Sequence, residues 1–139
     1  MSAAHALMRA VHERLAGDPG LAALIGDRLY DRVPDRAPLP YATYGSVRSR
    51  PIDAEGAELH EMTVDVWSRA HGRREAQGVL DEIARLLRSM PDRSDGLEDA
   101  RLVGLTVIDL TVEADDDTDL EHAYGRFRVV TEVDPQPLP

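Results

Sequence analysis

The sequence contains no cysteine, no lysine and no asparagine, and it has one tryptophan and one phenylalanine. Without cysteine there can be no disulfide, thiol nucleophile or thiolate-held metal. This is compatible with a reducing cytoplasm. The missing lysine removes the P-loop pattern GxxxxGK[ST], and no glycine spacing gives GxGxxG either. Lysine and asparagine are missing together, which a GC-rich coding bias explains more cheaply than any function. No apolar run approaches the roughly 18 residues of a membrane span. The opening MSAAHALMRAVHERLAG places charges inside its apolar pattern and lacks a signal-peptide layout. A soluble protein not exported by its own signal is expected. Basic residues number 16 against 26 acids, a formal net charge of -10. That balance argues against a nucleic-acid grip, which needs clustered cations to neutralise phosphates.

What is present is a core. The chain has 139 residues, 42% of them hydrophobic, enough for one compact domain without staples. Leu7, Ala10, Val11 and Leu15 recur at helical spacing and predict a first helix over about Ala4–Leu15, ended by Gly17. Asp18 caps a short second helix that has Pro19 at its first position and Gly26 beyond its end. Strands are expected at Leu29–Val33, Tyr41–Arg48 and Leu59–Ser68. The first two are separated by a connector, Pro34–Pro40, with three prolines; the last two are separated by a loop from Arg50 to Ala57. In the third strand Met62, Val64 and Val66 share one face and Thr63, Asp65 and Trp67 the other. The clearest helix carries Ala76, Val79, Leu80, Ile83, Leu86, Leu87 and Met90, and is closed by Pro91. After a polar loop, PDRSDGLED, come two long strands, Leu102–Val112 and Ala123–Val133. The order predicts an α+β fold: a mainly antiparallel sheet of about five strands packed on helices. The expected domain is 1–133, followed by a proline-rich tail, 134–139.

Few motifs suggest chemistry. Glu113, Asp115, Asp116, Asp117, Asp119 and Glu121 form an acidic run without a basic residue. A calcium loop is the sharp reading, but the stretch lacks the central glycine and the twelfth-position glutamate of an EF-hand. A solvated turn whose charge blocks edge pairing is the better account, and no metal is expected. The five histidines, His5, His12, His60, His71 and His122, match no HExxH pattern and are expected at the surface or at interfaces. Ser46 follows Gly45, but no glycine stands two places after it, so there is no nucleophile elbow. No catalytic or cofactor-binding residue stands out. A basic cluster does: Arg69, His71, Arg73 and Arg74 surround a strand-to-helix turn. Arginine at a helix start opposes the helix dipole, and local inconsistency of this kind marks contact sites.

Several phrases, in order, carry a resemblance. Leu21, Leu24, Ile25, Gly26, Arg28, Leu29 and Tyr30 come first, then Pro38, Pro40, Tyr41, Tyr44 and Gly45. They are followed by Val64-Asp65-Val66-Trp67-Ser68, by Gly72-Arg73-Arg74-Glu75-Ala76 and by Gly125-Arg126-Phe127-Arg128-Val129. From about Ala4 to Val133 the chain resembles the tail terminator, or tail completion, proteins of long-tailed phages and gene-transfer-agent-like particles. The resemblance implies a structural virion protein and not an enzyme. It also implies a hexameric ring at the head-proximal end of the tail tube, which ends tail growth and joins tail to head connector. Implied partners are further copies of the chain, the major tail tube protein and the connector or stopper, with DNA passing through unbound and no membrane. Assembly in the bacterial cytoplasm and residence at the particle neck follow. The docking groups expected on this reading are Arg48, Arg50, Arg69, Arg73 and Arg74, with the acidic run as a projecting turn. A head–tail adaptor of the same particle and a small metal-dependent hydrolase are the alternatives.

Overall fold

The computed structural model describes residues 2–69, 73–91, 97–98, 100–115 and 119–133. The expected tail 134–139, most of the PDRSDGLED loop, and His71, Gly72, Asp116 and Asp117 lie outside them.

Three helices form where periodicity and caps place them. The first, α1 (Ala4–Ala16), buries Leu7, Val11 and Leu15. In α2 (Pro19–Ile25), the Asp18 carboxylate accepts from the Leu21 amide at 2.9 Å, and Gly26 ends the helix at φ 60. Such a cap contributes about 1 kcal/mol, and the positive φ suits glycine. In α3 (Arg74–Ser89), Ala76, Val79, Leu80, Ile83, Ala84, Leu86 and Leu87 are all buried. Each large side chain buried there stabilises by about 1.5–3 kcal/mol.

The sheet has five strands in the order β1-β2-β3-β5-β4. These are β1 (Leu29–Tyr30), β2 (Tyr41–Pro51), β3 (Ala57–Arg69), β4 (Ala100–Asp115) and β5 (Leu120–Val133). All pairings are antiparallel except the two-residue β1 against β2. Two expectations need correction. The strand expected over Leu29–Val33 stops at Tyr30. The loop expected over Arg50–Ala57 is a tight turn, since β2 runs on through Pro51. There Asp53 Oδ1 accepts from the amides of Glu55 and Ala57, an aspartate turn that replaces a longer loop. Proline is tolerated at Pro51 because that stretch of β2 is an edge.

Among the described residues the helices cover one face only. Strand alternation turns Met62, Val64 and Val66 from β3 and Ala123, Phe127 and Val129 from β5 into this layer, where all are buried. On the other face Thr63, Asp65 and Trp67 are half-exposed. Buried with the apolar set is His60, at 0% exposure, which corrects the expectation that every histidine lies at a surface. Alternation in β3 points it inward. The ring can stay there because both nitrogens are satisfied: Nδ1 meets Ser49 Oγ at 2.6 Å and Nε2 meets Thr131 Oγ1 at 2.8 Å.

Bulges interrupt both strands that flank the central pair β3–β5. In β2, Gly45 and Ser46 stand opposite the single residue Thr63. In β4, Val103 and Ile108 are extra residues, and the second lies between the partners of Phe127 and Arg126. Since Arg126 pairs with Thr63, the Gly45–Ser46 and Ile108 bulges fall at one height.

Candidate functional site

The five arginines singled out in the sequence fall into two groups. Arg69 ends β3 opposite Leu120, whereas Arg50 pairs with Leu59 ten residues away along the same strand. At about 3.3 Å per residue, roughly 33 Å separates them. Arg73 and Arg74 open α3 at the Arg69 end, with no side-chain cap on the first turn. The acidic turn is at that end too, because β4 finishes at Asp115 and β5 starts at Leu120. The arginines therefore share one pole of the molecule with the ends of β4 and β5, where Glu113 and Asp119 lie.

The acidic group is narrower than expected. Glu121 does not project: it lies inside β5 at 7% exposure, turned to the helix side by strand alternation. Among the described residues its Oε2 has no hydrogen-bond partner. Glu113 is in β4 and remains exposed, and Asp119 takes a left-handed φ of 55. Among the described residues no group of three or more histidines and acids is placed to hold a metal ion.

Beside the pole, a cavity of about 780 Å³ opens between α2, β3 and α3. Leu24, Leu39 and Pro40 give it an apolar side, while Arg69, Arg74 and Glu75 give it charge. Leu24 is 44% exposed there. The arrangement offers apolar contact beside two cations and one carboxylate, and suits recognition of a protein surface.

Most charges on the open face cancel in pairs. Arg128 reaches Glu61 at 3.4 Å and Arg126 reaches Asp109 at 3.1 Å. Among the described residues neither Arg48 nor Arg50 has an acid within salt-bridge distance. A cross-strand row, Tyr41–Trp67–His122–Glu113, also crosses this face. His122 Nε2 is 2.7 Å from Asp65 Oδ1, and its Nδ1 is 3.9 Å from Glu113. Sequence reasoning missed the row. Its signal was available: the alternation that assigned Trp67 to the open face, together with a histidine at the start of the neighbouring strand.

The sequence profile of the family described as Tail completion protein gp17 matches residues 9–132. The chain belongs to that family. It is a tail completion protein of a phage-type particle, structural and not an enzyme. A chain from the virion of a native gene transfer agent particle is 28% identical, with a TM-score of 0.82, over 94% of this chain and 98% of that one. The gp17 protein of bacteriophage SPP1 shares the fold at 20% identity and a TM-score of 0.58, over 98% of this chain and 94% of that one. Among curated proteins none matches the sequence.

The phrases that carried the resemblance have physical reasons here. The Arg28 Nε donates to the Pro40 carbonyl at 2.7 Å, tying the connector back to β1. A Cβ on Gly45 would sit 2.9 Å from the Asp65 carboxylate. One on Gly125 would sit 2.8 Å from the Phe127 ring.

Proposed function

We propose that six copies of this chain close into a ring on the head-proximal end of the tail tube. The ring ends tube polymerisation and joins the tail to the head connector. The observation that carries this reading is the family match over residues 9–132, supported by near full-length likeness to a chain of a gene transfer agent virion. Growing tubes stack rings, and a terminator must dock on the last ring with one face while offering a different face to the connector. That task needs complementary shape and charge, not chemistry.

The Arg69, Arg73 and Arg74 pole, with the cavity beside it, is the docking surface for the tube or connector. The acidic turn at the same pole, with Glu113, Asp115, Asp116, Asp117 and Asp119, projects from the ring and binds no metal. DNA passes through without specific binding, since a subunit of net charge -10 repels phosphate. The ring assembles in the bacterial cytoplasm and then resides at the neck of the particle. Imaging of purified particles tests the proposal. A six-fold layer of this chain between head and tube is expected. Another symmetry, or a position on the head side of the joint as in an adaptor, overturns it.

A further inference from the structure

Among the described residues the sheet leaves two stretches of backbone without a neighbour, and they match. β1 pairs only with Ala42 and Thr43, so the rest of β2 is an open edge. Arg48, Ser49 and Arg50 are exposed in succession there. At the other side, β4 is last in the strand order. Its two bulges leave one regular segment between them, Gly104–Val107.

These segments stand at the same height. Val47, Arg48, Ser49 and Arg50 pair with Met62, Glu61, His60 and Leu59. Those four pair in turn with Phe127, Arg128, Val129 and Val130, whose β4 partners are Val107, Thr106, Leu105 and Gly104. The two matched stretches are thus four residues each. With three antiparallel pairings between them, the two strands run in opposite directions.

We infer that the β4 edge of one copy pairs antiparallel with the β2 edge of the next, continuing the sheet between subunits. The inference rests on the ring reading above and names the contact that would close the ring. A copy placed beside another in the same orientation sets Val47 against Val107, Ser49 against Leu105, Arg48 against Thr106 and Arg50 against Gly104. Val47, Leu105 and Val107 are already half-buried against the core on the helix side, and the pairing completes that apolar row. On the open side the arginines face small residues. A Cβ at Gly104 would meet nothing within 4 Å, which leaves room for Arg50.

Charge favours the same partner. β2 carries two arginines and no acid, while β4 carries Asp109, Glu113 and Asp115 against Arg101 alone. Arg48 stands one diagonal step from Asp109 of the neighbour, within reach of a long side chain, where it would share that carboxylate with the neighbour's Arg126. The bulges at Val103 and Ile108 limit the pairing to this short stretch, which prevents open-ended strand addition. The contact is head-to-tail, the type that closes into a ring when the rotation permits.

The cysteine-free chain makes the test direct. Opposed residues in an antiparallel pair have Cα atoms about 4.5–5.5 Å apart, within the range a disulfide spans. Full-length chain carrying Arg50→Cys and Gly104→Cys is assembled into particles and oxidised. A second pair, Arg48→Cys with Thr106→Cys, guards against a folding defect in the first. A ladder of cross-linked multimers that collapses on reduction is expected from both. The off-register pair Arg50→Cys with Glu113→Cys is expected to give none. Particles with a visible ring but no ladder from either matched pair overturn this contact and leave the ring reading standing. A ladder in particles without a ring at the neck supports the contact and sinks the ring reading.

Discussion

Trp67 and His122 lie face to face on the open side of the sheet, ring centroids 4.0 Å apart and planes within 5°. The imidazole is held against the indole by Asp65 at 2.7 Å. The stacked imidazole covers one face of the indole. Trp67 is the sole tryptophan, so its fluorescence reports on this stack. His122→Ala uncovers that face to water, and the emission should shift to longer wavelength than in the parent chain. Identical spectra in the two proteins would show that the stack does not govern the signal.

A second histidine sets the response of stability to pH. Burial lowers the His60 pKa from its ordinary 6.5, while the Glu58 carboxylate pulls weakly the other way. The unfolded chain therefore binds this proton before the folded one does. The stabilising contribution is complete above pH 6.5 and declines as pH falls until the folded site itself protonates. One proton gives a slope of at most about 1.4 kcal/mol per pH unit. Denaturant melts between pH 8 and pH 5 should show the decline, and His60→Gln should flatten it. Equal slopes in both proteins would assign the acid sensitivity elsewhere.

Reversing the arginines at the pole separates docking from folding. Arg73→Glu with Arg74→Glu alters two exposed side chains, and surface changes usually shift stability by no more than about 0.5 kcal/mol. Negative charge at a helix start is also favourable. The double variant should melt like the parent yet fail to yield particles with attached heads and normal tail length. Normal particles on complementation would move the docking surface away from Arg73 and Arg74.

Two glycines should respond to alanine with opposite signs. At Gly125 the added Cβ would lie 2.8 Å from two Phe127 ring carbons and 3.1 Å from Leu110 Cδ2. Overpacking of this kind costs about 1–3 kcal/mol. Gly78 is exposed inside α3 with open space around it, so Gly78→Ala should stabilise by roughly 0.5–1 kcal/mol. Thermal melts of the two variants decide the point. Gly78 also lines the cavity beside Arg74, so Gly78→Ala additionally asks whether that hollow must stay open for docking.

How much could be read in advance differs by element. The α3 stripe was legible because seven apolar residues on one period leave a single way to bury them, and all seven are buried. The α2 caps were legible for the same kind of local reason: Asp18, Pro19 and Gly26 act within one turn of chain. The strand expected to run to Val33 was not, because strand length depends on pairing. Past Tyr30 the neighbouring strand enters its bulge at Gly45, and the pairing ends at Thr43. The burial of His60 was equally hidden, since it depends on Thr131, 71 residues away. Of the candidate site, the residue types were legible and their grouping was not. Nothing local tells that Arg48 and Arg50 belong to a different end from Arg73 and Arg74. Only the register of β3 does.

That register has a mechanical consequence. β5 extends for 14 residues, roughly 46 Å at strand rise, from the acidic pole to Val133, whose amide is bonded to the Gly56 carbonyl at 3.0 Å. β3 lies alongside it over the same span, linked by thirteen residue pairs. The pairing of β3 with β5 has no bulge, and the irregularities of the sheet lie in the strands that flank it. Such an unbroken pair acts as a stiff strut. On the docking proposed for the Arg69 end, it would tie that end to the turn after Pro51, so that the two ends of a subunit move as one body.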